Sequence, residues 1–189
     1  MKGKSNDFPI INLNKFITMD YTENKLKGDA QMCEFESKDA YVLDKIYENL
    51  KGTDYYSKEY PRWSHVDLYS EITNEDGVRV KWNTEIKSAN VKRTTTYPSF
   101  KLKEQKLNDA FSVSSGVGLY IVFLDYYDYN AYIYNAKKID WEKIEKRNDY
   151  QLIRYVQPEL GYSSYPTYFL PKEKANKIIN FKEYSDEYD

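Results

Sequence analysis

The sequence predicts an α/β (α+β) fold in which helices flank a central sheet, and three observations carry that expectation. Apolar residues recur at helical spacing between Glu34 and Lys51, two alternating runs meet at a glycine-containing turn between His65 and Lys87, and GVGLYIVFLD is an almost unbroken apolar run. A chain of 189 residues suits one domain with a real core. A single domain is therefore expected over residues 1–189.

The first 33 residues read as an N-terminal segment of irregular or short elements, with FPIINLNKFI a strand or turn and TENKLKGD polar punctuation. In EFESKDAYVLDKIYENLK, Glu36, Ala40, Leu43, Tyr47 and Leu50 share a face that Val42 and Ile46 widen. Gly52 stands as the stop, so a helix is expected over 35–51. Glu36 lies in that stripe near the helix start, where a carboxylate also faces the helix dipole. TDYYSKEYPRW reads as a polar aromatic loop.

Strands are expected near 64–73 and 78–91. Val66, Leu68, Ser70 and Ile72 alternate with His65, Asp67, Tyr69 and Glu71, and Val78, Val80, Trp82, Thr84 and Ile86 alternate with Arg79, Lys81, Asn83, Glu85 and Lys87. If Glu75-Asp76-Gly77 is a three-residue loop with Gly77 left-handed, Asn74 pairs with Val78. Asp67 then lies opposite Glu85.

Downstream, KRTTTYPSFKLKEQK is a basic segment punctuated by Pro98 that runs into a helix near 103–111. A central strand covered on both faces follows at 118–124, with NAYIYN as its antiparallel neighbour. The C-terminal extension, 136–189, offers a short helix IDWEKIEKR, then QLIRYVQ, a linker rich in Pro and Tyr, a short strand TYFLP, a last helix KEKANKIINF and a frayed acidic tail.

Composition narrows the function classes. Hydrophobic residues make up 41% and charged residues 31%, with 28 basic against 30 acidic side chains, so net charge points to no polyanion. A single cysteine, Cys33, excludes an internal disulfide and a cysteine-based zinc site and fits a reducing compartment. No window reaches the length of a membrane span and the N-terminus carries no signal peptide, so a cytoplasmic protein without a membrane partner is expected. The 21 tyrosines fit a compositional bias more than a function.

Two carboxylates facing each other across a ladder are destabilising unless a positive charge lies between them. Oxygen ligation by Asp67, Glu85 and a backbone carbonyl, that of Ile86, suits Mg2+ or Mn2+ as cofactor. Lys87 shares the face of Glu85 and can hold a water or a phosphate oxygen without ligating the metal. Those parts are what metal-assisted phosphodiester hydrolysis requires.

The pattern Asp67, hairpin turn, Glu85-Ile86-Lys87 resembles the PD-(D/E)xK nuclease superfamily, the restriction-endonuclease-like fold. The resemblance covers about residues 34–135. It implies a central mixed sheet flanked by helices, in the order helix, three-stranded meander, helix and further strand. The sequence supplies each of these except the third strand of the meander, which has no clear place. It further implies a metal-dependent nuclease acting on nucleic acid, DNA in preference to RNA, with Asp67 and Glu85 as metal ligands and Lys87 as the catalytic lysine. Glu36, in competition with Glu34, would be the added helix ligand, and Lys106 would lie beside the scissile phosphate. Val66 stands where the family often has proline.

Further residues suit substrate binding. His65, the only histidine, shares the face of Asp67, and Lys92, Arg93, Lys101 and Lys103, interleaved with Tyr97 and Phe100, form a basic aromatic run. A homodimer is compatible, because cutting two strands needs two sites. The competing reading is a catalytically silent member of the same fold that binds nucleic acid or protein.

Overall fold

A strand whose two faces are both covered must bury its polar residues with its apolar ones, and that single fact organises this protein. The computed structural model describes residues 36–50, 54–61, 64–73, 76–89, 98–152 and 162–188. Met1–Ser37 and Lys38–Asp189 form two compact units. Of the first, only Glu36 and Ser37 are described, both exposed in the opening turn of helix α1 (36–50).

The second unit continues with β1 (Tyr55–Glu59), β2 (Leu68–Thr73), β3 (Arg79–Ala89), β4 (Ser99–Lys103), α2 (Glu104–Val113), β5 (Gly118–Asp125) and β6 (Asn130–Asn135). It closes with β7 (Lys146–Leu152), β8 (Tyr162–Pro171), β9 (Lys177–Asn180) and α3 (Lys182–Tyr188). Six strands form a mixed sheet in the order β1-β2-β3-β5-β6-β9, and β4-β8-β7 form a second, antiparallel sheet. Within the larger sheet only β3 and β5 run parallel. With β4 of the second sheet set aside, the chain thus runs helix, three-stranded antiparallel meander, helix, parallel strand.

One face of the large sheet packs Leu68, Trp82, Ile86 and Val122 under Val42, Leu43 and Ile46 of α1, with Phe181 joining from the C-terminus. The other packs Leu119, Ile121 and Phe123 under Leu107 and Ala110 of α2 and Phe100 and Leu102 of β4. β3 is therefore buried on both faces from Trp82 to Ile86. Asn83 and Glu85, the polar half of its alternation, end up inside. Asn83 is satisfied there, its amide donating to Ser114 Oγ at 3.0 Å. Glu85 is buried in the same way and becomes the centre of the acidic site.

Hairpin register follows the turn. Leu68 faces Thr84 and Thr73 faces Arg79, the register that a three-residue loop dictates. Gly77 holds φ of 74°, left-handed, as that loop needs. Asn74 and Glu75 lie outside the described residues.

Several elements differ from expectation. Tyr55–Glu59, inside the stretch read as a loop, is a strand that pairs antiparallel with β2, giving three consecutive antiparallel strands with β3. β2 begins only at Leu68, because 64–67 form a bend. The basic segment contains β4, which pairs with β8 and so is no loop. IDWEKIEKR forms one 3-10 turn, at Trp141–Lys143, and its last two residues open β7. KEKANKIINF is a 3-10 turn and strand β9, and the helix lies in the tail read as frayed. Among the described residues no helix is long and apolar enough to cross a membrane.

The β3–β5 contact is tight where Trp82 faces Gly118. A Cβ at 118 would lie 2.9 Å from Trp82 Cβ and 3.4 Å from the Lys81 carbonyl oxygen, both rigid neighbours. Gly118→Ala is expected to lower stability by about 1 kcal/mol, the overpacking cost outweighing what is gained from a less disordered unfolded chain. Urea denaturation would register this as a lower midpoint at unchanged slope.

Candidate active site

The bend before β2 and the middle of β3 together place the acidic pair. Asp67 donates its backbone N–H to the Thr84 carbonyl at 2.9 Å, continuing the ladder one step past β2. Its Oδ2 then accepts the Ile86 N–H at 2.6 Å, so a side chain takes the role of the next main-chain acceptor. That bond fixes the Asp67 carboxylate against the Glu85-Ile86 peptide. The sequence-predicted neighbours are thereby brought together.

Glu85 points toward α2 and is 1% exposed. Its Oε1 accepts from Lys87 Nζ at 2.5 Å and lies 3.7 Å from Lys106 Nζ. Its Oε2 is buried and has no hydrogen-bond partner among the described residues. Lys87 reaches Glu85 because residues two apart on a strand share a face, and its ammonium also donates to the Ile86 carbonyl at 3.1 Å. Lys106 reaches it because α2 starts at Glu104 and lays its first turn over β3. Burial pushes the Glu85 carboxyl above the ordinary range. The Lys87 ammonium opposes this, the Asp67 carboxylate adds to it, and Lys106 opposes it again.

A third carboxylate comes from α1. Asp39 is 8% exposed, and its Oδ1 accepts from the Tyr126 hydroxyl at 2.9 Å. Burial pushes its carboxyl up to about 6, against hydrogen bonds from Ser88 and Tyr126, with the Asp67 charge raising it further and Lys87 lowering it. Asp39 therefore shares the electrostatic field of Asp67 and Lys87. Sequence reasoning singled out Glu36 on this helix, which is exposed, and missed Asp39. The signal was present: Asp39 stands at helical spacing from Val42, Leu43 and Ile46, all buried.

The other candidates fall elsewhere. His65 is exposed, its Nδ1 3.9 Å from Asp109 of α2. Lys101 pairs with Asp149 at 2.8 Å and Lys103 sits 4.2 Å above the Tyr165 ring, both on the second sheet. Glu34, Lys92, Arg93 and Tyr97 lie outside the described residues. A further buried charge unforeseen in the sequence, Asp125 at the end of β5, has Lys172 at 3.7 Å, itself over the Phe100 ring.

The chemistry available is thus two adjoining carboxylates, two ammonium groups on one of them, and a main-chain carbonyl, near the carboxyl end of β3 where a parallel strand adjoins it. Among the described residues no group of three or more His, Cys, Asp or Glu side chains is disposed to hold a metal ion. Comparison with protein-family models, with curated proteins and with solved structures finds no match.

Proposed function

We propose that this protein is a metal-dependent nuclease that hydrolyses phosphodiester bonds, DNA in preference to RNA, on a restriction-endonuclease-like core of the PD-(D/E)xK type. The observation that carries the reading is Glu85: one oxygen shared by Lys87 and Lys106, the other buried without a donor among the described residues. A buried carboxylate oxygen that lacks a donor costs free energy unless a cation completes it. The order helix, meander, helix, parallel strand adds support, since it is the order of that core.

Asp67, Glu85 and the Ile86 carbonyl would hold Mg2+ or Mn2+. Two carboxylates and a carbonyl suit magnesium, which keeps several waters and bridges to substrate phosphate instead of filling its shell with protein. When bound, the ion supplies charge that polarises the phosphate and lowers the pKa of water. Lys87, held at the Glu85 edge by the Ile86 carbonyl, orients the attacking water or the phosphate oxygen as the new O–P bond forms and the O3′ bond breaks. Lys106 is positioned as a second cation against the charge developing on the phosphate.

The test is cleavage of single-stranded, duplex and branched DNA with Mg2+ or Mn2+. Lys87→Ala is expected to slow cutting on the order of 10²-fold. Cutting unchanged by that substitution refutes the role of Lys87. No cleavage of any substrate refutes the enzyme.

A further inference from the structure

The second sheet has one face in the core and an opposite face on which Thr167 is buried and Tyr165 exposed. Phe100 and Leu102 of β4 point into the core, so Lys101 and Lys103, which alternate with them, point out. Lys101 faces Phe169 and Lys103 faces Thr167 across the β4–β8 ladder, and Arg147 faces Thr167 from β7. Tyr165, two residues before Thr167, belongs to the same outer face. That face therefore joins residues of the basic segment to residues of the C-terminal extension.

Its cations lie on its rings. Lys103 Nζ is 4.2 Å from the centre of Tyr165, and Arg147 Cζ is 4.1 Å from that of Phe169, with Lys101 Nζ 5.9 Å from the same ring. Phe169 is covered, while Tyr165 is 40% exposed. Two carboxylates pair with these cations, Asp149 with Lys101 and Glu145 with Arg147. The Arg147–Glu145 pair is exposed on both sides and exchanges readily for another anion, because such a pair is worth little. Lys103 also immediately precedes α2, one turn before Lys106, whose ammonium lies 3.7 Å from Glu85. A single turn of chain thus joins the outer sheet to the acidic site.

Resting on the nuclease reading, we propose that this outer face binds an unpaired DNA strand, Lys103 and Arg147 taking phosphates and Tyr165 stacking on a base, and that Lys106 hands the strand to the site. Alternating cations and ring faces are what a single strand needs, because its backbone carries the charge and its bases expose π-faces that a duplex hides. The substrate class is therefore DNA with a single-stranded flank next to the cut.

Fluorescence anisotropy of the full chain with labelled oligothymidylate, in EDTA so that nothing is cut, tests this. Tyr165→Ala is expected to weaken binding about tenfold and Tyr165→Phe to leave it intact. Lys103→Ala combined with Arg147→Ala should reduce the salt slope by about 1.4, two phosphates on a single strand. Tyr165→Ala binding as the wild type, a duplex losing as much as the single strand, or poly-glutamate competing as well as oligothymidylate would each overturn the proposal. Binding is read without metal, so an oligonucleotide held by this face but never cut sinks the nuclease reading alone. Cutting of flanked DNA unaffected by the double substitution sinks the platform alone.

Discussion

Under the proposed nuclease function, Glu85→Gln is expected to abolish stabilisation by Mg2+ and to slow cleavage on the order of 10³-fold, with the fold intact. In the wild type, Mg2+ at about a hundred times its dissociation constant should raise stability by about 2.7 kcal/mol, because a ligand that binds only the folded chain stabilises it by mass action. Replacing the carboxylate with an amide removes one of the two charges that would hold the ion and leaves Lys87 a carbonyl oxygen to bond. The pH dependence follows from the raised Glu85 carboxyl. A folded-state value above the unfolded one means that stability grows as pH falls through the folded value, and that protons compete with the ion at a higher pH than for an ordinary glutamate. Magnesium stabilisation of the wild type should therefore shrink as pH falls, while the metal-free protein gains. Thermal melts with and without Mg2+ across pH check both signs. An undiminished magnesium effect in Glu85→Gln would remove Glu85 from the ligand set.

What the sequence revealed and what it hid divide along physical lines. The register of Asp67 against Glu85 was legible because it depends on local facts, a left-handed glycine and alternation around it. The central strand was legible because burial on both faces leaves an apolar run, as in Leu119–Leu124. β1 was not, since YYSKE has no clean alternation and becomes a strand only by pairing at an edge with β2. β9 and β4 were missed for a different reason: their ladders join residues more than forty positions apart, β9 to β6 and β4 to β8. Asp39 was hidden differently. The stripe through Glu36, Ala40, Leu43 and Tyr47 and the one through Asp39, Val42, Leu43 and Ile46 overlap, and only packing against the sheet decides which of them is central. Alternation marked the polar half of β3, and its contacts with α2 and Ser114 are what make it an interior site.

Asp39→Asn is expected to raise the stability of the metal-free protein at pH 8 by about 2 kcal/mol and to leave it unchanged near pH 4. The wild-type carboxyl is raised from 3.8 to about 6, mainly by burial. A tenfold change in proton affinity is worth about 1.4 kcal/mol, so the ionised form costs the folded protein about 3 kcal/mol once pH exceeds the folded value. That cost is absent below the unfolded value and grows as pH rises between the two, the folded state holding the proton more tightly. Asparagine keeps the acceptor for Tyr126 and can bond Ser88 through its amide, so the exchange removes charge with little loss of hydrogen bonding, and part of that cost is retained as amide desolvation. Urea midpoints at pH 4, 6 and 8 should show the two proteins converging at the acid end and separating at the basic end. Glu85 titrates in the same direction in both proteins and cancels in the difference. The unfavourable charge at Asp39 shares a field with Asp67 and Lys87, so it adds negative potential where the cation is proposed to sit. Its loss should therefore weaken the magnesium stabilisation without abolishing it, which separates a carboxylate acting through space from the direct ligand at Glu85. Magnesium stabilisation equal to that of the wild type would leave Asp39 with a cost in stability and no electrostatic return at the site.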